Sequence, residues 1–353
     1  MNSELLLTLG KMLLVAVVIL GFVLTAVLYM IYGLRRVMGF IQARIGPNRV
    51  GPYGLLQTVA DALKLLQKED VIPEGADKWL FTIAPVIVFV PAYLVYVVMP
   101  FGNGLIAKDL NIGIIYVSAI TSIAVIGVVL AGWASNNKWS LIGAFRAAAQ
   151  LVAYEVPMVL ALCIPVVFAG TLSMQGIVTA QSGYAFGFIP KWFIFSGWGV
   201  PALAFIIYLA AGLAEINHTP FDIMEAESEL VAGFNVEYSG MKFALFFLEE
   251  FAASFTISAI AVTLFFGGWN PPLPFLGAQW LPQAGEAATL AGMAVSLFWF
   301  LAKSIGMVVV LMWIRATWPR VRVDQLMNFG WKVLIPAGLT LLLAAGVVVK
   351  VWN

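Results

Sequence analysis

"LLVAVVILGFVLTAVLYMIYGLRR", residues 13–36, decides the fold class. From Leu13 to Tyr32 it carries no charge, and a helix needs roughly 20 mostly apolar residues to cross a hydrocarbon core. It is too long for a signal-peptide core and runs straight into Arg35 and Arg36, where a cleavable leader would place small residues. It therefore reads as a retained transmembrane helix.

The rest of the chain repeats that pattern. Of 353 residues, 62% are hydrophobic and 10% charged, with a mean hydropathy of +0.97. Such a composition leaves no room for a sizeable soluble domain. Apolar windows predict spans near residues 11–33, 79–100, 112–134, 147–170, 196–216, 241–266, 288–314 and 330–352. The expectation is one membrane domain over 1–353, an all-α polytopic membrane protein of about eight transmembrane helices. The stretch from Gly176 to Phe195 is apolar but broken by glycines and Pro190, and no internal repeat divides the chain into related halves.

An even number of spans puts both termini on one side, and basic residues choose the side. Arg35, Arg36, Arg44, Arg49, Lys64, Lys68 and Lys78 follow the first span, Lys138 and Arg146 the third, Lys242 the fifth, and Arg315, Arg320, Arg322 and Lys332 the seventh. The other side has Lys11, Lys108, Lys191 and Lys350. The first face is predicted to be cytoplasmic and both termini non-cytoplasmic. A net charge of +1 gives no support to nucleic-acid binding. With one cysteine, Cys163, and one histidine, His218, the chain cannot ligate an iron–sulfur cluster, a bis-histidine haem or a structural zinc by itself. No metal site is expected.

Two cytoplasmic connections stand out. "RIGPNRVGPYG", residues 44–54, cannot continue a helix, yet Pro47 and Pro52 remove freedom, so it reads as a shaped loop. After it, Leu55, Val59, Leu63 and Leu66 fall on one helical face and Gln57, Asp61, Lys64 and Lys68 on the other, the pattern of an interfacial amphipathic helix. The second connection, residues 214–240, carries Glu215, Asp222, Glu225, Glu227, Glu229 and Glu237. If it is helical from Pro220, Asp222, Glu225 and Glu229 share a face while Glu227 points away.

Charges inside the apolar spans weigh more, because an ionised group there needs a cavity or a partner. Glu155 is placed about two turns into the fourth span, Glu215 ends the fifth, Glu249 and Glu250 lie in the sixth, and Lys303 lies in the seventh. On charge alone, the chain looks like a proton or ion conduit fed from the cytoplasmic side.

Four stretches, "QARIGPNRVGPYGLLQTVADALKLLQKED", "GWASNNKWSLIGAFRAAAQLVAYEV", "AEINHTPFDIMEAESELVAGFNVEY" and "WIRATWPRVRVDQLMNFGWK", closely resemble the H-type membrane subunits of NADH–quinone oxidoreductases, the family called NADH dehydrogenase subunit 1 in mitochondria. The resemblance covers nearly the whole chain. It implies a subunit of respiratory complex I in an energy-converting membrane, such as a bacterial inner membrane. Partners would be cluster-bearing peripheral-arm subunits docked on the cytoplasmic loops and other membrane-arm subunits, including antiporter-like ones. FMN and the iron–sulfur clusters would belong to those partners, and quinone would be the substrate. No complete catalytic site would lie on this chain.

By that resemblance, the quinone chamber and docking loop take in Arg35, Arg36, Arg44, Gly46, Pro47, Asn48, Arg49, Gly51, Pro52, Asp61, Lys64, Phe221 and Glu225. The charge relay takes in Glu155, Glu215, Asp222, Glu225, Glu227 and Glu229, with Arg146, Lys303 and Arg315 as basic counterparts, and the charge reading of the spans adds Glu249. Three positions depart from the family pattern: Leu34 and Ser122 stand where many or some members have a glutamate, and His218 replaces an arginine. A second reading is the anchor or ion-coupling subunit of a related membrane-bound hydrogenase, against which the well-matched loop at 44–54 argues. A third is a stand-alone transporter lined by acids.

Overall fold

The computed structural model describes residues 3–223, 232–277 and 289–352. In chain order its helices are α1 (Ser3–Ile41), α2 (Gln57–Gln67), α3 (Lys78–Leu94), α4 (Gly113–Thr121), α5 (Ile123–Ala134), α6 (Lys138–Ala169) and α7 (Met174–Ala180), followed by α8 (Val200–Glu215), α9 (Gly240–Phe265), α10 (Leu290–Thr317), α11 (Val323–Phe329) and α12 (Ile335–Trp352). The stretch between α7 and α8 holds a two-residue antiparallel ribbon, with Tyr184 opposite Pro190 and Ala185 opposite Ile189. The chain is an all-α polytopic membrane protein. Among the described residues, eight stretches are long and apolar enough to span a bilayer: Glu4–Ile41, Lys78–Val97, Gly113–Ala134, Lys138–Ala169, Gly197–Glu215, Gly240–Phe265, Leu290–Thr317 and Val323–Val351.

Local chemistry explains where these helices begin and end. Asp77 caps α3 by accepting from the amides of Trp79 and Leu80, and Asn137 caps α6 by accepting from Trp139. That cap starts α6 at Lys138, earlier than the apolar window allows. Arg146 and Gln150 lower the local hydropathy, but the intervening alanines are strong helix formers. Gly170, at φ 67°, ends α6 in the left-handed conformation. Glu155 consequently lies about 25 Å from the start of α6, close to mid-helix and not two turns in. The last span likewise starts early, because polar α11 continues through a wide turn at Gly330–Leu334 into α12.

Helix α9 is the centre of the bundle. Within its most apolar window 67% of residues are buried, against 17% for each of the first and last spans. It packs on α3 and α10 with further contacts to α1, α2 and α8, while α6 packs between α5, α8 and α12. Buried tyrosines meet backbone carbonyls: Tyr96 donates to Ala252, Tyr208 to Ile257 and Tyr154 to Leu326. In a bilayer no water would satisfy those hydroxyls, so each such bond fixes one helix against another.

Candidate functional site

At the end of α1 the loop at 44–54 is held as a fixed platform. Tyr32 donates to the Tyr53 carbonyl at 2.8 Å, and Arg36 reaches both the same carbonyl and the Tyr32 hydroxyl at 3.1 Å. Gly54, at φ 78°, is buried against the Pro47 carbonyl, leaving no space for a Cβ. Arg35 pairs with Asp61 on α2 at 2.6 Å, and Gln57 donates to the other Asp61 oxygen at 3.1 Å. Gly46, Pro47, Gly51 and Pro52 therefore shape a ledge that presents Arg44, Asn48 and Arg49 outward, with Lys64 exposed on α2. The apolar face of α2 expected from sequence is also exposed at Val59, Leu63 and Leu66. Lys242 pairs with Asp70 at 2.8 Å, tying the segment after α2 to the start of α9.

Phe221 lies elsewhere. It packs against Tyr154 and Phe329, with ring centroids 5.6 and 6.4 Å away. Its carbonyl, the Ala214 carbonyl and the Asn217 amide oxygen share the two hydrogens of the Gln150 amide nitrogen, so one amide organises the connection after α8. Residues 220–223 are irregular, so the condition that put Asp222 on a shared helical face, a helix from Pro220, is not met there. Glu225, Glu227 and Glu229 fall outside the described residues.

Three of the predicted carboxylates converge. Glu155 from α6, Glu215 from the end of α8 and Glu249 from α9 line one cavity of about 70 Å³ with Ser122, Asn217 and Thr256. That volume accommodates several waters, since one needs roughly 10–15 Å³. Ser122, at the one-residue break between α4 and α5, shares its one hydroxyl hydrogen between Glu155 and the Ser118 carbonyl. No described group bonds the buried Oε2 of Glu215. Like charges around so small a space repel.

A second cluster adjoins the first. Glu250 accepts from Arg315 at 2.9 Å, and His218 Nε2 lies 3.2 Å from the same oxygen. Burial lowers the pKa of His218, an effect opposed in part by its hydrogen bond to Glu250. Asp222 pairs with Arg320 at 3.0 Å. Arg146 lines a separate, largely apolar groove of about 320 Å³ with Phe145, Ile223, Leu326 and Met327.

Lys303 is not part of either cluster. Its ammonium donates to the carbonyls of Phe266 and Asn270, both at 2.8 Å, and stands 4.7 Å over the Trp192 ring. This places it at the C-terminal end of α9, about 25 Å along the helix from Glu249.

The NADH dehydrogenase family profile matches residues 14–346. The H-type NADH-quinone oxidoreductase subunit of Dehalococcoides mccartyi is 48% identical over 92% of this chain and 82% of its own length. Those of Chlorobaculum tepidum and Geobacillus kaustophilus are each 48% identical, over 94% and 95% of this chain and 90% and 92% of their own. The chain belongs to the NADH dehydrogenase family.

In this NADH dehydrogenase family chain, two members of the charged region have roles that the sequence does not reveal. Sequence reasoning counts Glu249 and its neighbour Glu250 alike as intramembrane charges and carries only Glu249 into the relay, although adjacent helical acids necessarily point about 100° apart and so meet different surroundings. Ser122 stands out in sequence as a departure from the family pattern and not as a donor to Glu155. Its signal is a hydroxyl in an apolar span opposite an intramembrane acid, which becomes visible only once α4–α5 and α6 are packed.

Proposed function

We propose that this oxidoreductase-complex subunit forms one wall of a quinone chamber and couples quinone reduction to proton translocation through its buried carboxylates. Supporting this reading is the convergence of Glu155, Glu215 and Glu249, from three helices, on one small cavity. A structural role alone gives no reason to gather three like-charged groups inside an apolar bundle. The platform of residues 44–54, with the apolar face of α2, offers the chamber's floor and mouth. Its exposed Arg44 and Arg49 suit docking of a cluster-bearing partner, which supplies electrons from FMN and from iron–sulfur centres, for which the single Cys163 of this chain is too few ligands.

A negative charge appearing on the quinone would redistribute protons among Asp222 and the cavity acids, and that shift would pass to antiporter-like partners in the membrane arm. The basic loops lie in the cytoplasm and both termini on the opposite side of a bacterial inner membrane. Gentle purification through a tag on this chain, followed by subunit identification and an inhibitor-sensitive quinone reductase assay, tests the proposal. Cluster-bearing and antiporter-like subunits should co-purify with quinone reductase activity. A lone polypeptide, or a nickel-containing partner set without quinone activity, would refute it.

A further inference from the structure

His218 sits where the charged groups of several elements meet. It lies just beyond α8, is 2% exposed, and faces Glu250 from α9, Arg315 from α10 and Asp222 on its own connection. Its neighbour Asn217 lines the carboxylate cavity, as does Glu249 beside Glu250.

The hydrogen bonds around the ring assign its tautomer. Ser254 donates its only hydroxyl hydrogen to the Glu250 carbonyl at 2.8 Å, so its oxygen presents a lone pair to His218 Nε2 at 3.4 Å. Glu250 Oε1, 3.2 Å from Nε2, is paired with the permanently charged Arg315 and is an acceptor as well. Nε2 faces two acceptors and must carry the hydrogen. In the neutral ring that burial favours, Nδ1 is then a bare lone pair. It is buried, and no described residue donates to it. An arginine or glutamine in this place would offer no basic nitrogen to an arriving proton; a histidine does.

We propose that His218 is a proton-exchanging site beside the carboxylate cavity, with Glu250 as its fixed counter-charge. A hydronium ion entering from the side of the Asp222–Arg320 pair breaks one of its O–H bonds, leaving water, as its proton forms an N–H bond at Nδ1, and the imidazolium is held between Glu250 and Asp222. Transfer onward breaks that bond and forms an O–H bond on a cavity carboxylate, returning the ring to neutrality. Glu250 keeps its charge throughout, clamped by Arg315.

The inference rests on the coupling function proposed above, and the test separates the two. Quinone reduction and linked proton transfer are measured against pH in membrane vesicles holding the complete complex, for the native chain and for His218→Gln, His218→Arg and Glu250→Gln. The native complex should lose coupled rate on the acid side, as the ring loses its ability to accept a proton. Both His218 variants should assemble, fall at least about fivefold in coupled rate, and lose that acid limb. Glu250→Gln should shift the limb to lower pH, since removing the anion disfavours the imidazolium.

A native profile with no acid limb, or His218→Arg with the native rate and profile, overturns the inference, because a permanent cation cannot exchange protons there. Loss of the limb in Glu250→Gln also overturns it by making Glu250 the titrating group. Native vesicles that reduce quinone without moving protons refute the coupling function itself, a result distinct from the others.

Discussion

Glu249 and Glu250 are adjacent on α9 yet serve different surroundings: Glu249 lines the cavity with Glu155 and Glu215, whereas Glu250 is paired with Arg315 at 2.9 Å. A one-residue helical step turns the side chain by about 100°, enough to give the two carboxylates different surroundings. Glu250→Gln leaves Arg315 without its carboxylate in a site where the two side chains are 15% and 24% exposed. The expected loss is about 2 kcal/mol of stability, below the full cost of breaking a deeply buried pair. Glu249→Gln should lower coupled quinone reductase activity with assembly intact. Thermal unfolding of the detergent-solubilised complex, beside a Glu250/Arg315 double-mutant cycle, checks the first; an unfolding temperature unchanged by Glu250→Gln would contradict it.

Glu155 sits mid-helix and accepts from the Ser122 hydroxyl. Glu155→Gln keeps the shape but removes the ability to carry a proton, so coupled activity should fall about tenfold or more with assembly intact. Ser122→Ala removes only the donor and should cost about twofold. Proton uptake by inside-out vesicles during quinone reduction is the measurement; an unchanged rate in assembled Glu155→Gln complex removes Glu155 from the relay.

The platform's rigidity depends more on backbone shape than on its surface ion pair. Gly54→Ala would force a Cβ onto the Pro47 carbonyl at a positive φ and should cost about 2 kcal/mol or more. Arg35→Ala breaks a pair whose side chains are 44% and 27% exposed, worth no more than about 0.5 kcal/mol after solvent screening. Tyr32→Phe falls between, losing the hydroxyl's bond to the Tyr53 carbonyl and the one it accepts from Arg36, together about 1–2 kcal/mol. Limited proteolysis of the loop and inhibitor affinity should rank the variants in that order, and a greater effect for Arg35→Ala than for Gly54→Ala would show the ledge to be electrostatic.

Much of this arrangement is legible in the sequence, and the losses have identifiable causes. Apolar runs locate every span because bilayer thickness fixes helix length, and the alternation of apolar and polar positions in 55–68 correctly divides the faces of α2. The same windows misjudge the start of α6, because hydropathy registers Arg146 and Gln150 while helix formation responds to Asn137 and the alanines. Distances along one helix are readable from sequence; convergence of Glu155, Glu215 and Glu249 is not, since it depends on how α6, α8 and α9 rotate against one another. For that reason Lys303, an intramembrane charge on the same footing as the acids in sequence, proves to stand with backbone carbonyls at the far end of α9.

His218 gives the folded state a pH dependence. Burial lowers its pKa below the ordinary imidazole value of 6.5. Above that value both folded and unfolded chains carry a neutral ring. As pH falls below it the unfolded chain takes up the proton first, so stability declines until the lowered folded-state pKa is passed, then levels. Thermal unfolding of the complex across that window should show a smaller acid decline in His218→Gln than in the native chain, and identical declines would mean that other groups set it.

Lys303 supplies the sharpest contrast between structural and relay roles. The ammonium meets the carbonyls of Phe266 and Asn270, just beyond the last turn of α9, where unsatisfied acceptors and the negative end of the helix dipole favour a cation. Lys303→Met retains much of the side chain's bulk over Trp192 but strips both carbonyls of a charged donor, which should cost about 2 kcal/mol in stability. Because the site lies about 25 Å along α9 from Glu249 and the ammonium is held by the Phe266 and Asn270 carbonyls instead of any cavity acid, coupled activity per assembled complex should stay above about half of native. The two readouts are the unfolding temperature and the coupled rate normalised to intact complex. A collapse of the rate with an unchanged unfolding temperature would reverse this assignment and place Lys303 in the proton path.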